Sequence, residues 1–211
     1  MKYDNVAEAF SLIKSTRIIP VVTIDDASDA VPLARALTAG NINAAEITFR
    51  TDAAGKAILN IHNELPDFFV GAGTVSSKEQ ARAAISSGAK FIVSAGFSRK
   101  VVSYCQKKRT AVIPGVATPT EIQEASSMGL EVLKLFPCEI LGGLKYLDTL
   151  KGPFPKIKFV VTGGITAANA KDFLLKENVF AAAGTWITSR DKIKNHDWEQ
   201  IKKAAAEAAA L

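Results

Sequence analysis

Glu131-Val132-Leu133-Lys134-Leu135-Phe136-Pro137 sets the pattern of this 211-residue chain. It is a short apolar run with β-branched and aromatic residues, stopped by a proline, so it predicts a strand buried on both faces. A lysine stands in the middle of that strand. An ammonium buried without a partner is expensive, and the usual outcome is a lowered pKa that leaves a neutral amine able to attack a carbonyl. The alternative is structural: an ion pair, or a side chain that snorkels to the strand end.

Working outward, the same unit recurs on both sides. Upstream, Ala111-Val112-Ile113-Pro114-Gly115-Val116 reads as a strand and residues 119–128 as its helix, closed by Gly129. Downstream come a helical stretch near 144–150, a strand over 158–164, a helix over 167–175, a strand over 180–185 and an alanine-rich helix from Trp198 onward. Toward the N-terminus, strands over 17–23, 44–50, 68–75 and 91–96 alternate with helices over 30–39, 54–63, a segment ending at Gly88, and 100–107. Ser76 and Glu79 have the spacing of a capping box at the start of that third helix. A further helix over 6–14 precedes the first strand. The lysine strand is sixth of eight.

Strands separated by helices imply parallel pairing with right-handed crossovers, either as an open doubly wound sheet or as a closed eight-stranded barrel. The even count favours the barrel, and such barrels shrink to roughly 200 residues when their loops are short. The expectation is an α/β fold: one (β/α)8 TIM barrel spanning 1–211 with an extra N-terminal helix. Gly71-Ala72-Gly73 lacks the third glycine of a dinucleotide fingerprint.

Composition is that of a soluble globular protein, 48% hydrophobic and 22% charged. Met1 to Ala9 resemble neither a secretory signal nor a transit peptide, and no apolar run approaches membrane-spanning length, so the cytoplasm is expected and a membrane partner is not. Cys105 and Cys138 have neither metal-ligand spacing nor disulfide density. The net charge of +5 suits acidic ligands. Lys107-Lys108-Arg109 reads as a solvated helix end without interleaved aromatic residues, which argues against nucleic acid.

Polar residues at the strand ends carry the function of a barrel. Alternation along the second strand puts Glu46, Thr48 and Arg50 on one face and Ile47 and Phe49 on the other, with Arg50 roughly 13 Å further along than Glu46. Glu46 is either a proton carrier or a neutralising partner of Lys134, and Arg50 either a ligand contact or a solvated rim charge. Thr74 follows Gly71-Ala72-Gly73, where missing side chains let a ligand approach the backbone, and an arginine plus a hydroxyl is a reasonable grip for a carboxylate. Thr162-Gly163-Gly164-Ile165-Thr166 and Gly184-Thr185 follow the seventh and eighth strands, the loops with which barrels often hold phosphate; the alternative is tight turns without a ligand. His62 and His196 fall on helix or loop surfaces, and no convincing metal cluster is visible.

An amine, a carboxylate, a carboxylate grip and a phosphate cradle together fit one reaction: the amine condenses with a 2-oxo acid to an iminium electron sink while the carboxylate shuttles protons as a C–C bond breaks or forms. No cofactor or metal is required. Over nearly its whole length the chain resembles the 2-keto-3-deoxy-6-phosphogluconate (KDPG) aldolase and 4-hydroxy-2-oxoglutarate (KHG) aldolase family. The resemblance lies in Glu46-Ile47-Thr48-Phe49-Arg50-Thr51, Val70-Gly71-Ala72-Gly73-Thr74-Val75, Ile113-Pro114-Gly115-Val116, Lys134-Leu135-Phe136-Pro137, Thr162-Gly163-Gly164-Ile165 and Gly184-Thr185-Trp186.

That resemblance implies a class I aldolase yielding pyruvate and glyceraldehyde 3-phosphate. It implies Lys134 as the Schiff-base residue, Glu46 as the proton shuttle, and Arg50 and Thr74 on the pyruvyl carboxylate. Pro114 and Phe136 would line the pocket, and Gly163, Gly164, Gly184 and Thr185 would hold the phosphate. A homotrimer is implied as well. The chain departs from the family pattern at Cys138, where alanine is common, at Val161, where proline is common, and at Ala183-Gly184-Thr185, where Gly-Gly-Ser is common. Three other readings stay open: an aldolase for the galactonate epimer, a phosphosugar isomerase using Glu46 as base, and a catalytically silent phosphate-binding barrel.

Overall fold

The computed structural model describes residues 6–211, so the polar start read at Met1 to Asn5 lies outside the described residues. Helix α1 (Val6–Thr16) leads into strand β1 (Ile18–Val22), and α2 (Ala30–Ala39) follows a 3-10 turn capped by Asp26, whose carboxylate accepts from the Ser28 N–H at 2.9 Å. The order continues β2 (Ala44–Thr48), α3 (Ala54–Glu64), β3 (Phe69–Gly73), α4 (Lys78–Ser86), β4 (Phe91–Val93), α5 (Arg99–Lys107), β5 (Ala111–Ile113), β6 (Gly115–Val116) and α6 (Pro119–Ser127). It ends β7 (Val132–Leu135), α7 (Gly143–Lys151), β8 (Lys158–Thr162), α8 (Ala170–Leu174), β9 (Val179–Gly184), α9 (Arg190–Lys194) and α10 (Trp198–Ala209).

All pairings are parallel, in the order β5-β4-β3-β2-β1-β9-β8-β7-β6. The two end strands are consecutive pieces of one segment, split at Pro114, so the ladder runs around a (β/α)8 barrel with eight strand positions. The split corrects the continuous strand expected over 111–116. Pro114 has no N–H for the ladder; its carbonyl accepts from Lys134 N at 2.9 Å, while β5 pairs back to β4.

Burial separates two layers. Ile19, Val21, Ala44, Phe69, Phe91, Val93, Ile113, Val160, Ala181 and Ala183 pack together inside the ring, with Ala9 and Ile13 of α1 against them. Ile18, Val22, Ala45, Ile47, Val70, Ala72, Leu133, Leu135 and Val161 face the helices. This is the period-two alternation of strands, and it assigns Glu46, Thr48, Lys134 and Thr162 to the inside.

Two boundaries differ from the sequence expectation for local chemical reasons. The cap of α4 is Ser77, whose hydroxyl accepts from Gln80 N at 3.1 Å, and Ser76 N donates to Gln80 Oε1 at 2.8 Å, so Glu79 is not the box partner. The helix expected from 167 begins at Ala170. Asn169 claims the turn before it, accepting from Thr166 N at 2.8 Å and donating to the Gly164 carbonyl at 3.0 Å. The short helix α9 was not anticipated.

Candidate active site

Glu46 and Lys134 come from opposite sides of the ring. Between β2 and β7 stand β1, β9 and β8 one way, and β3, β4 and the split β5/β6 the other. Both side chains therefore reach inward and meet near the axis, with Lys134 Nζ 3.7 Å from Glu46 Oε1 and side-chain exposures of 6% and 2%. That separation is an ion-pair contact and longer than a hydrogen bond. Glu46 Oε1 has no hydrogen-bond partner among the described residues, which is unusual for a buried carboxylate. The lysine ammonium also lies 5.3 Å from the centroid of the Phe136 ring, within cation–π range.

Glycines make room for this pair. A Cβ on Gly73 would stand 1.9 Å from Glu46 Oε1, so the bare backbone of β3 is the wall against which the carboxylate packs. Gly163, at φ +92°, leaves space for the turn at Phe136 and Pro137, whose atoms a Cβ would meet at 3.0–3.2 Å. Gly164, at φ +84°, would place a Cβ 2.5 Å from Glu139. A side chain at either position would be strained in that left-handed backbone.

The other expected residues sit at the same, C-terminal end of the ring. Pro114 is buried beside β7, and Phe136 is half-buried just past its end. Thr74 follows β3 with φ +56°, a left-handed conformation that a β-branched residue rarely adopts and that clusters at functional sites. Arg50 lies two residues beyond β2, exposed in a turn, so strand alternation and the 13 Å offset expected from it no longer place its side chain. Phe49 N donates to the Gly73 carbonyl at 2.7 Å, which holds the Arg50 turn next to Thr74. Gly163 and Gly164 after β8, with Gly184 at the end of β9 and Thr185 just past it, form a separate arc, with Gly164 and Thr185 exposed. The two arcs are divided by β1, and the lysine–carboxylate pair lies between them. His62 and His196 are both exposed, and His196 Nε2 stands 2.9 Å from Asp29 Oδ1, away from the pair.

Sequence reasoning passed over Thr162 as a side chain. It is 7% exposed, faces the interior two residues beyond Val160, the register partner of Lys134, and its hydroxyl has no hydrogen-bond partner among the described residues. The available signal was its inward parity with Val160. Thr48, by contrast, is satisfied: its hydroxyl donates to the Val22 carbonyl at 2.8 Å and lies 3.1 Å from Thr23 Oγ1. Cys138, just past the turn, is fully buried, and burial pushes its thiol up to about 12, as it does that of Cys105.

A closed parallel barrel with an inward lysine and carboxylate meeting at its mouth defines the class of α/β-barrel aldolases. A family model described as KDPG and KHG aldolase matches residues 10–204, and the chain belongs to that family. It is 42% identical over 192 residues to the 2-dehydro-3-deoxy-phosphogluconate aldolase of Treponema pallidum, covering 91% of each chain. Among solved structures, KDPG aldolase from Legionella pneumophila, with pyruvate captured as a covalent carbinolamine, superposes with a TM-score of 0.91 at 38% identity, covering 94% of this chain and 96% of that one. The KDPG aldolase of Zymomonas mobilis with 3-phosphoglycerate gives a TM-score of 0.91 at 34% identity, covering 97% and 96%. No helix among the described residues is long and apolar enough to cross a membrane.

Proposed function

We propose that this chain is a class I aldolase of the cytoplasm that cleaves KDPG to pyruvate and glyceraldehyde 3-phosphate and accepts KHG as a second substrate. The observation that carries the reading is the meeting of Lys134 Nζ and Glu46 Oε1 at 3.7 Å inside the ring. The covalent carbinolamine in the Legionella relative supports an amine nucleophile, and 3-phosphoglycerate in the Zymomonas relative supports a site that accepts a carboxylate and a phosphate together.

In this reading Lys134 Nζ adds as a free amine to the C2 carbonyl, a proton moves from nitrogen to oxygen, and a proton from the Glu46 carboxyl carries the hydroxyl off as water, leaving an iminium and a Glu46 carboxylate. Glu46 takes the proton of the C4 hydroxyl as the C3–C4 bond breaks; that electron pair flows into the iminium, giving an enamine and releasing the aldehyde. Glu46 then returns its proton to C3, and water hydrolyses the new iminium to pyruvate and free amine. Arg50 and Thr74 hold the C1 carboxylate, Pro114 and Phe136 line the reacting carbons, and the second arc at Gly163, Gly164, Gly184 and Thr185 holds the C6 phosphate. Thr162 offers its unpaired hydroxyl to a substrate oxygen between the two ends. We extend the reading to the homotrimer that the family resemblance implies; Ile140, 85% exposed beyond the lysine strand, is an apolar side chain suited to a contact with a second copy.

Borohydride reduction in the presence of pyruvate tests the reading directly. Peptide mass spectrometry is expected to find the reduced adduct on Lys134 and none in Lys134→Met, which keeps an apolar side chain on the strand. An unlabelled wild-type protein would leave the isomerase or silent-barrel readings standing instead.

A further inference from the structure

Away from the barrel mouth, the outer faces of α4 and α5 carry charges that the aldol reaction does not use. Lys78 and Arg82 stand one turn apart on α4, and Lys100, Tyr104, Lys107 and Lys108 recur at helical spacing along α5 and its C-cap. The opposite faces, Ala81 and Ala84 of α4 and Val101, Val102 and Cys105 of α5, are buried. The two polar stripes meet along the groove between the helices and line a cleft of about 660 Å³.

Among the described residues, five cations line that cleft and no carboxylate does. Among the described residues, none of the five takes part in an ion pair, whereas Arg99, Lys151, Lys176, Arg190 and Lys202 elsewhere do. Glu79, the acid whose carboxyl Lys78 and Lys100 help to hold below the usual range, is engaged first by its own backbone N–H and by the Ser77 hydroxyl. Tyr104 gathers cations from both helices, with Lys78 Nζ 5.8 Å and Lys108 Nζ 5.9 Å from its ring centroid. Helix electrostatics accounts for Lys107 and Lys108, which complement the C-terminal end of α5, but not for Lys78 and Lys100, which stand in first turns where a cation opposes the dipole. Lys78 and Lys108 reach the same ring, so their like charges repel one another with incomplete screening, and an anion in the cleft would relieve it.

We infer that this cleft binds a compact polyanion of the phosphate-chain class, whether inorganic polyphosphate or the triphosphate of a nucleotide. The volume is that of a small-ligand site. Its one aromatic ring is already engaged by ammonium groups, so it lacks the stacking platform of a single-stranded nucleic acid site.

Calorimetric titration of the whole enzyme with sodium tripolyphosphate, and separately with ATP, tests this. Binding is expected to weaken with added salt, and Lys100→Gln/Lys107→Gln is expected to raise the Kd about tenfold or more while leaving kcat for aldol cleavage unchanged. Equal affinity for the two ligands assigns the phosphate chain alone; tighter ATP adds a contact to the nucleoside; either supports the site. No binding at millimolar concentration overturns the inference. So does an unchanged Kd in the double variant, which would put the anion elsewhere, or displacement of tripolyphosphate by a much tighter single-stranded oligonucleotide.

Discussion

At the N-terminal end of the barrel interior, Phe69 and Phe91 stack with ring centroids 5.2 Å apart, the Phe91 ring fills the space that a Cβ on Gly71 would need, and Ile13 of α1 lies 1% exposed among the residues that close the floor. At the other end of the same strands the interior holds a carboxylate, an ammonium and an unpaired hydroxyl. The change happens within two residues, from Ala44 to Glu46 on β2 and from Val132 to Lys134 on β7. The apolar floor needs no explanation beyond transfer from water, whereas a buried ion pair is weak evidence for stability because desolvation offsets its attraction. One end closes the ring and the other carries the groups on which the proposed mechanism relies.

Substitutions at each end should separate these roles. The largest effect is expected from Glu46→Gln, which should lower kcat about 10²–10⁴-fold with KM little changed, read in a coupled assay for pyruvate. A kcat within tenfold of wild type would make Glu46 only a neutralising neighbour of Lys134. At the floor, Phe91→Ala should lower the unfolding free energy by about 3–5 kcal/mol and leave kcat near wild type at a temperature where the protein is folded. A large loss of kcat there would blur the division between the ends. Gly73→Ala should cost about 100-fold in kcat/KM, because the new methyl displaces the carboxylate, with a thermal midpoint that falls less than in Phe91→Ala. Unchanged turnover would show that the carboxylate position is not critical.

The smallest expected effect is the pH response of the two buried thiols. Their folded pKa values are raised from 9.0 to about 12, so the unfolded chain loses these protons first as pH rises. Their contribution is complete below about pH 9 and declines between 9 and 12. Denaturant titrations across that window should show stability falling, less steeply in Cys105→Ala and Cys138→Ala; an identical slope in both variants would assign the decline to other groups.

Much of the fold was legible because helix and strand signals alternate without a long insertion, and the charged pair stood out because Lys134 and Glu46 interrupt apolar runs. That they face each other across the ring was not legible, since it follows from closure and not from any local pattern. Thr162 escaped because a threonine at a strand end serves equally well as β-branched filler, and only the absence of a partner in three dimensions distinguishes it. The late start of α8 escaped because Asn169 bonds locally to Thr166 and Gly164 in competition with the helix, and the turn at Arg50 escaped because it hangs on a bond from Phe49 N to the Gly73 carbonyl, far away in sequence.

The close approach of Gly73 to Glu46 also bears on how turnover is divided from folding. A carboxylate wedged against bare backbone has lost most of its rotational freedom on folding, so in the proposed mechanism little is left to lose when it takes a proton. The missing side chain on one strand thus works as a jig for the acid on its neighbour.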